Sequence, residues 1–517
     1  MSAPTSKILP INRLWELINR QAIYILSGLV SLSVAILYLS IAPTRLSNAN
    51  FGSDGGDLLA AVLTQGIPHP SGYPTYTLLG QLFQYLPFST AVFRGVLGSL
   101  TPAALGAGLL TGWMGFVTGS KSGAYLSAAF VTGIAWGTAP LLFSQAVIVE
   151  VHGLQSLIVV LVLWWISLNL QGSPGSNKKW VLGLSFLVGL GGGNHLTIAL
   201  FTPAALLALI YSGYRSGSWK LILAQCALVL AGLLVYTYLP LRAQAFPSIN
   251  WGNPQTWSGF LWEVTGRPYR SLLFSVETTV FWERIRSVSS LLLDQYGAIG
   301  LVAGAIGAIQ YTFPIKWLRW ILAWIFMAYF AFAIGYKTQD SIGYLMPAVM
   351  VFAIWIGLAI PSIWPLNWQR VPIGLVLSTI LMLNIGLRIP GTRTRMDTRS
   401  QDQPARYAEQ LLMDAPQNAI VNTTTDQDTF PLWYYHFGLQ ERPDLRVVVM
   451  PLTQFVWYQQ TLVRTYPDLE FPAIYTKDQP NNDWGQEIQR LNPERLVCNT
   501  RLTTETETGV DYQCSKP

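Results

Sequence analysis

The chain has 517 residues, of which 51% are hydrophobic and only 11% are charged, and its mean hydropathy is +0.36. Soluble globular proteins carry about 25% charged residues, so this composition excludes them and indicates a polytopic membrane protein. The net charge of +6 is spread over many loops without a basic run, which argues against a nucleic-acid partner.

Apolar runs of roughly 17–25 residues are long enough to cross a bilayer as helices. Two amphipathic stretches, 75–87 and 272–292, instead predict helices that lie in the membrane interface. The predicted fold class is an α-helical polytopic membrane protein with about eleven transmembrane helices, at 22–41, 92–118, 123–142, 155–170, 179–194, 196–212, 220–240, 295–313, 318–336, 343–361 and 371–388.

Lysine and arginine recur in every second loop, so the positive-inside rule predicts a cytoplasmic N-terminus at residues 1–21. The multi-span domain then covers 22–388, and its long loops 42–91 and 241–294 lie on the outer side. We expect an integral protein of the plasma (inner) membrane.

Residues 389–517 are richer in acidic and turn residues and contain short alternating runs such as 446–450. This pattern predicts a small α/β domain outside the membrane. Cys498 and Cys514 both lie in it and could form a disulfide in an oxidising compartment.

Two carboxylates and a histidine follow the first span, namely Asp54, Asp57 and His69. Ionisable side chains near lipid are functional candidates, and a carboxylate on a glycine-rich turn suits a general base for a hydroxyl. Alternatively, Asp54 is the N-cap and Asp57 the N3 residue of a helix. Pro68 and Pro70 fix the position of His69, although a simple interfacial turn would also explain this segment.

The second outer loop opens with Glu150 and His152, which are either site residues or a solvated pair. Asn194 and His195 follow three glycines between two short spans. Irregular backbone at membrane depth lines cavities, which favours a functional role, while the alternative for His195 is a packing residue.

The loop after residue 239 mixes arginines with aromatic residues. Arginine matches the geometry of a phosphate, and aromatic rings suit sugar faces, so this loop predicts substrate contacts. An aromatic belt with snorkelling arginines is the alternative. The candidates are Arg242, Trp251, Arg267 and Tyr269.

Asp340 and Tyr344 in the next outer loop complete the candidate residues. Several histidines and carboxylates are present, but no metal-ligand spacing joins them. We therefore expect no cofactor to be required, although a two-carboxylate site could hold a divalent metal.

Several of these segments resemble a polytopic family whose animal members are transmembrane protein O-mannosyltransferases. The resemblance keeps motif order from about residue 45 to residue 460. It rests on Asp54-x-Gly-Asp57, His69-Pro-x-Gly-Tyr73-Pro74, Glu150-Val, Gly-Asn194-His195, Arg242…Asn-Trp251-Gly252-x-Pro254, Asp340…Tyr344-Leu-x-Pro347 and Asp426-x-Asp428-Thr-Phe-Pro-Leu-Trp433-Tyr434…Arg442-Pro-Asp444.

The resemblance implies a GT-C glycosyltransferase fold, a polyprenyl-phosphate sugar donor and a catalytic acid in the first outer loop. The carried-over catalytic residue is Asp54, with Asp57 beside it and His69 and Tyr73 as substrate contacts. The family usually has glutamate at the second acidic position and proline in place of Ser71.

The sequence thus predicts an inverting glycosyltransferase that moves a hexose such as mannose from a polyprenyl phosphate to a protein or glycan hydroxyl. Asp54 would take the hydroxyl proton, and the leaving phosphate would meet cationic or hydrogen-bonding neighbours. The phosphate candidates are Arg242, Arg267, His69 and His195. Two other classes stay open, a transporter or flippase of lipid-linked saccharide and a non-catalytic envelope polysaccharide assembly protein.

Overall fold

The computed structural model describes residues 11–119, 123–171, 174–338, 340–368, 371–480 and 482–516. The fold is mostly helical. Its α-helices are α1 (Ile11–Leu39), α2 (Gly55–Thr64), α3 (Pro74–Gln84), α4 (Ala91–Thr118), α5 (Gly123–Gly137), α6 (Pro140–Ala146), α7 (His152–Leu170), α8 (Pro174–Gly192), α9 (Thr202–Ser216), α10 (Trp219–Leu233), α11 (Tyr238–Gln244), α12 (Trp257–Val264), α13 (Thr278–Gln310), α14 (Leu318–Gly335), α15 (Met346–Ile363), α16 (Ile373–Met396), α17 (Gln403–Asp414), α18 (Asp426–Trp433), α19 (Val456–Thr465) and α20 (Trp484–Leu491).

Short 3₁₀ helices connect several of these elements, and a π-helical turn, Tyr434–Gly438, extends α18. The 3₁₀ helices are Ala49–Asp54, Leu196–Phe201, Leu234–Thr237, Arg267–Leu272, Asp340–Leu345 and Met450–Gln454. The strands are β1 (Asn367–Trp368), β2 (Val371–Pro372), β3 (Ile420–Thr423), β4 (Arg446–Val449), β5 (Val497–Leu502) and β6 (Val510–Ser515).

Within the described ranges, nine helices are long and apolar enough to cross a bilayer, or ten if the bent pair α5–α6 forms one span. The predicted span 179–194 corresponds to α8, which is absent from that count because Asn177, Lys178 and Lys179 lower its hydropathy. Asn194, just after α8, donates to the Val151 carbonyl at the start of α7. α8 therefore runs back along α7.

The predicted interfacial segment 272–292 is only partly a separate element. From Thr278 the chain is already in α13, which continues to Gln310 across a break at Gly297. Gly297 has φ +69°, a conformation that side chains with a Cβ rarely adopt. The first half of α13 is thus the start of a broken membrane helix.

The last membrane helix, α16, continues past the predicted boundary at 388 to Met396. A small domain follows, called here the C-terminal domain (residues 397–516), and it contains a four-stranded sheet in the order β4-β3-β5-β6. β3 is parallel to β4 and β5, and β5 is antiparallel to β6. Cys498 and Cys514 lie directly opposite each other on β5 and β6 and form a disulfide.

The C-terminal domain docks on the loop between α1 and α2. Arg45 in that loop forms ion pairs with Asp402, at 2.9 Å, and with Glu409, at 2.7 Å. In the first turn of α2, a Cβ added to Gly56 would lie 2.3 Å from the Phe430 carbonyl oxygen of α18. The absent side chain of Gly56 therefore lets the two domains approach each other closely.

Gly56→Ala is expected to lower stability by about 1–3 kcal/mol, the usual cost of forcing an extra group into a packed contact. Thermal unfolding of the purified protein in detergent measures this effect, and limited proteolysis detects release of the C-terminal domain. Gly55→Ala is the matched control, because a Cβ there would lie 3.4 Å from Val149, an ordinary contact distance. Equal stability of the two variants would refute the role given to Gly56.

Candidate active site

A cavity of about 650 Å³ opens where the membrane domain meets the C-terminal domain. Its walls come from the α1–α2 loop, the segment before α3, the start of the 3₁₀ helix after α8, the loop around α12 and the N-terminus of α18. Seven predicted site residues line it, namely Asp54, His69, Tyr73, His195, Trp251, Tyr269 and Tyr344. Chain segments far apart in sequence are therefore brought to one place.

Asp57 lies beneath this cavity and is completely buried. Its Oδ2 accepts hydrogen bonds from the backbone N–H of His69 at 2.9 Å and from His69 Nδ1 at 2.7 Å. Its Oδ1 accepts from Trp251 Nε1 at 3.0 Å. Asp57 therefore holds His69 and Trp251 in place and does not itself face the cavity.

His69 lies between two carboxylates. Its Nδ1 bonds to Asp57, while its Nε2 is 3.5 Å from Asp54 Oδ2 and 3.1 Å from the Tyr73 hydroxyl. Burial disfavours the imidazolium, but the charge of Asp54 and the hydrogen bond that His69 donates to Asp57 outweigh it and raise the pKa of His69 to about 10. His69 is consequently a cation at neutral pH.

Asp54 differs from Asp57 in exposure, since its side chain is 32% accessible and lines the cavity. It occupies the N-cap position of α2, and Asp57 is the third residue of that helix, as the capping interpretation places them. The Asp54 side chain makes no capping hydrogen bond, however, and the oxygens of Asp57 bond to His69 and Trp251. Both carboxylates therefore serve the site more than the helix end.

The backbone around His69 is fixed on both sides. Ile67 exchanges hydrogen bonds with Ile249 and Trp251 in a short parallel bridge. Gly72 N–H donates to the His69 carbonyl at 2.9 Å, which closes a turn rather than an extended segment. These bonds orient the His69 ring toward Asp54.

The C-terminal domain supplies part of the cavity wall through Asp426, Gln427 and Phe430 at the start of α18. The Phe430 ring stacks on His69 with 6.3 Å between ring centroids. Burial, followed by the negative charge of Asp54, raises the pKa of Asp426 from 3.8 to about 6. Sequence reasoning noted the Asp426-x-Asp428 motif but did not place Asp426 in the site.

Asp428 has a structural role. It is fully buried and forms a capping box with Thr425, and its Oδ2 accepts a hydrogen bond from the Thr500 hydroxyl at 2.5 Å. This pairing fixes the start of α18 to the sheet, so that Asp426 points into the cavity.

The raised pKa of Asp426 predicts a pH-dependent stability. The folded protein binds this proton more tightly than the unfolded chain, so stability falls as pH rises from about 4 to about 6. Asp426→Asn is expected to remove this loss, and its melting temperature should exceed that of the wild type increasingly across that interval. Asp483→Asn, at an exposed position of the same domain, is the control. A difference in melting temperature between Asp426→Asn and the wild type that stays constant across the interval would contradict the prediction.

An aromatic cluster forms the opposite wall. The His195 ring lies 5.2 Å from His152 and 5.4 Å from Tyr344, measured between centroids. His195 Nδ1 is 2.8 Å from the Thr197 hydroxyl, and the backbone N–H of Thr197 also donates to it. His152 is not among the cavity-lining residues and contacts the site through His195 and Tyr344.

Two further predicted residues are buried behind the cavity. Glu150 accepts a hydrogen bond from its neighbour, the backbone N–H of Val151, at 2.8 Å. Asn194 is fully buried and bonds to the Val151 carbonyl and to Gln155. These contacts join the ends of α7 and α8.

The arginines are arranged differently from the prediction. Arg242 donates to the Gln65 carbonyl at 2.7 Å and so closes the end of α2, and neither it nor Arg267 lines the cavity. Arg270, one turn after Arg267, does line it. The side chain of Asp340 lies outside the described residues.

Glu263 on α12 is a carboxyl group that sequence reasoning missed. It is fully buried, and among the described residues neither of its oxygens has a hydrogen-bond partner. It packs under the His69 turn, where a Cβ on Gly72 would approach it to 3.3 Å. Burial raises the pKa of Glu263 well above its usual value.

The described residues contain no group of three or more histidine, cysteine, aspartate or glutamate side chains that could hold a metal ion. The site is instead an ionic network of Asp57, His69 and Asp54, with Asp426 as a further acid. Such a network can aim one carboxylate at a bound hydroxyl.

Two family models match this sequence. The first, described as the Protein O-mannosyl-transferase TMEM260 N-terminal domain, covers residues 54–218, and the second, TMEM260-associated domain 2, covers residues 404–502. Together they span just over half of the chain and include both Asp54 and Asp426. The chain belongs to the TMEM260 family.

Two relatives from this family align along most of the chain. The mouse protein named Protein O-mannosyl-transferase TMEM260 (Mus musculus) is 23% identical over 464 residues, which is 85% of this chain and 65% of the relative. The Dictyostelium discoideum protein of the same name is 22% identical over 485 residues, 82% of this chain and 57% of the relative. The chain thus spans less than two thirds of the length of these relatives.

The fold is also that of solved GT-C structures. ArnT from Cupriavidus metallidurans bound to undecaprenyl phosphate superposes with a TM-score of 0.57 at 12% identity, over 92% of this chain and 93% of that chain. The apo form of the same protein gives a TM-score of 0.56 at 12% identity, over 92% of each chain. The GT-C fold class predicted from the sequence is confirmed.

Proposed function

We propose that this protein is an inverting glycosyltransferase that moves a hexose such as mannose from a polyprenyl phosphate to a protein hydroxyl. The observation that carries the proposal is the asymmetric pair of carboxylates on His69. Asp57 is sealed beneath the ring, whereas Asp54 is partly exposed in a cavity of about 650 Å³. The names of the curated relatives support O-mannosyl transfer as the reaction class.

In this mechanism the acceptor oxygen attacks the anomeric carbon as its proton passes to Asp54. The bond between the anomeric carbon and the phosphate oxygen breaks, and the polyprenyl phosphate leaves with the bonding electrons. Attack opposite the leaving group inverts the configuration. General-base assistance of this kind is typically worth about 10²–10⁴-fold in rate.

His69 keeps Asp54 ready for this step. As an imidazolium fixed by Asp57, it stabilises the Asp54 carboxylate and orients its oxygen at 3.5 Å from Nε2. Asp57 and Trp251 act through His69 and are positioning residues. Asp426 lines the same cavity, where it can accept a hydrogen bond from the acceptor.

Arg270 and the Tyr269 hydroxyl are the groups in the lining that suit a phosphate. Next to Arg270 the chain exposes Leu273 and Phe274, the latter 75% accessible, which suits contact with lipid. A donor lying along these residues would have its phosphate at the cavity and its tail in the bilayer. Undecaprenyl phosphate is the ligand named for the ArnT structure.

The proposal places the cavity on the outer face of the plasma membrane, as the distribution of lysine and arginine predicts. The lipid bilayer, the lipid-linked sugar and an acceptor protein are then its partners, and no metal or other cofactor takes part. A transporter would place ionisable groups near the bilayer midplane. Here Asp54, His69 and Asp426 lie together against the C-terminal domain, which favours the enzyme over the transporter.

Purified full-length protein tests this function. Incubation with polyprenyl-phosphate mannose and threonine-containing acceptor peptides is expected to yield a mannosyl peptide with inverted anomeric configuration, detected by mass spectrometry and NMR. Polyprenyl-phosphate glucose in a parallel reaction identifies the sugar. Failure of every lipid-linked hexose to transfer, in a protein that still binds the donor, would overturn the proposal.

A further inference from the structure

A second, smaller cavity of about 250 Å³ lies between the loop that follows α11 and helix α19 of the C-terminal domain. We call it the amide groove, because side-chain amides and hydroxyls dominate its wall, among them Asn250, Asn253, Gln460 and Thr461. Asn253 Nδ2 donates to Gln460 Oε1 at 3.3 Å, which ties the two sides together. Both domains therefore build this groove.

Asn250 gives the groove an unused hydrogen-bond acceptor. The residue is only 4% exposed, and its Nδ2 donates to Asn253 Oδ1 at 3.3 Å. Within the described part of the chain, Asn250 Oδ1 has no partner. Buried polar atoms without a partner are rare, so this enclosed oxygen, on a residue that lines the groove, is suited to an N–H or O–H from a ligand.

The amide groove adjoins the active-site cavity. Asn250 lines the groove and the next residue, Trp251, lines the cavity and holds Asp57. Consecutive Cα atoms are about 3.8 Å apart, so neighbouring residues of one bridged segment line the groove and the cavity. The bridge from Ile67 to Ile249 and Trp251 fixes this spacing relative to His69.

The composition of the groove favours a polypeptide over a glycan. Sugars commonly stack on an open aromatic face, and one face of the Phe246 ring in this wall, a residue that is 41% exposed, is occupied by the Arg464 guanidinium, 3.5 Å from the ring centroid. The remaining amides present paired donors and acceptors, which match the N–H and C=O groups of an extended backbone. The volume of the amide groove is below the roughly 300–1,000 Å³ of sites that enclose a small ligand. It therefore suits an extended polypeptide that passes through the groove.

We propose that the amide groove binds the acceptor polypeptide in an extended conformation next to the residue that receives the sugar. The inference rests on the proposed transferase function, which it deepens by assigning the acceptor site. Asn250 Oδ1 accepts a backbone N–H of the acceptor, and Gln460 and Asn253 bond to the adjoining peptide group. The hydroxyl then enters the cavity past Trp251 and meets Asp54.

Photocrosslinking tests this assignment without turnover. Full-length Asp54→Asn protein is incubated with a pool of acetylated nonapeptides, each with a central threonine and a diazirine residue two positions away. Mass spectrometry is expected to map crosslinks to residues 246–253 and 460–465. Gln460→Trp, which fills the groove from an exposed position, is expected to lower the crosslink yield about tenfold, the effect of losing one or two hydrogen bonds.

Gln486→Trp is the matched control, since Gln486 is an exposed glutamine on α20 outside the groove. The same two substitutions, made in the wild-type protein, distinguish an effect on acceptor binding from an effect on donor binding. Gln460→Trp is expected to raise the KM for peptide and to leave the KM for donor unchanged. Equal crosslink yields for the two variants, crosslinks elsewhere, or displacement of the peptide by free oligosaccharide would overturn the assignment. Peptide crosslinks in the groove of a protein that transfers no sugar would instead refute the transferase proposal alone.

Discussion

Asp54→Asn is expected to reduce sugar transfer by about 10²–10⁴-fold, the usual contribution of a general base, while the protein folds normally. The amide keeps the size of the side chain but cannot accept a proton from the acceptor hydroxyl. Because Asp54 is partly exposed, its neutralisation should leave the packing around α2 intact. Single-turnover transfer with radiolabelled donor measures the loss of rate.

Asp483→Asn makes the same change on the surface of the C-terminal domain and is expected to leave transfer unchanged. Donor binding by Asp54→Asn should be within about twofold of the wild type, since a general base acts mainly in the transition state. Full activity of Asp54→Asn would refute the mechanism and would leave Asp426 as the candidate general base.

Asp57→Asn is expected to destabilise the protein by about 3–5 kcal/mol, the cost of breaking a buried ion pair on one side. The carboxylate of Asp57 accepts three hydrogen bonds, two from His69 and one from Trp251. An amide in its place would turn an NH₂ group toward one of these donors. Thermal unfolding in detergent measures the loss.

Trp251→Phe provides a graded comparison, because it removes a single hydrogen bond to a charged group, worth about 1.5–3 kcal/mol. The pH profile separates positioning from simple destabilisation. Without Asp57, one of the three carboxylates that raise the pKa of His69 is lost, so the alkaline limb of the pH–activity profile should move to lower pH. An unchanged alkaline limb, or wild-type stability, would show that Asp57 does not hold His69 as described.

The membrane architecture was largely accessible from the sequence because hydropathy reports directly on lipid contact. The apolar runs located the spans, and only α8 and the broken α13 departed from the simple pattern, through polar residues at one end and the break at Gly297. The C-terminal α/β domain and its pair of cysteines were also foreseen. The close contact between Gly56 and α18 was not foreseen, because a close backbone contact produces no recognisable pattern in a single sequence.

The site was foreseen in part. Asp54, His69 and Trp251 were singled out from their surroundings in the chain, and the structure brings them together. The different burial of Asp54 and Asp57 depends on tertiary packing, so spacing alone could not assign them separate roles. Arg270 and Asp426 were missed for the same reason, since Arg267 lies on the same loop and only docking of α18 brings Asp426 to the cavity.

The cavity draws two of its acids from segments far apart in the chain, Asp54 after the first membrane helix and Asp426 after α16. Domains generally fold as units in the order of synthesis, so the membrane helices are in place while the wall that carries Asp426 has yet to be made. During that interval a lipid-linked sugar would meet a half-built pocket with no acceptor beside it. Under the proposed function, catalytic competence therefore awaits docking of α18 on α2.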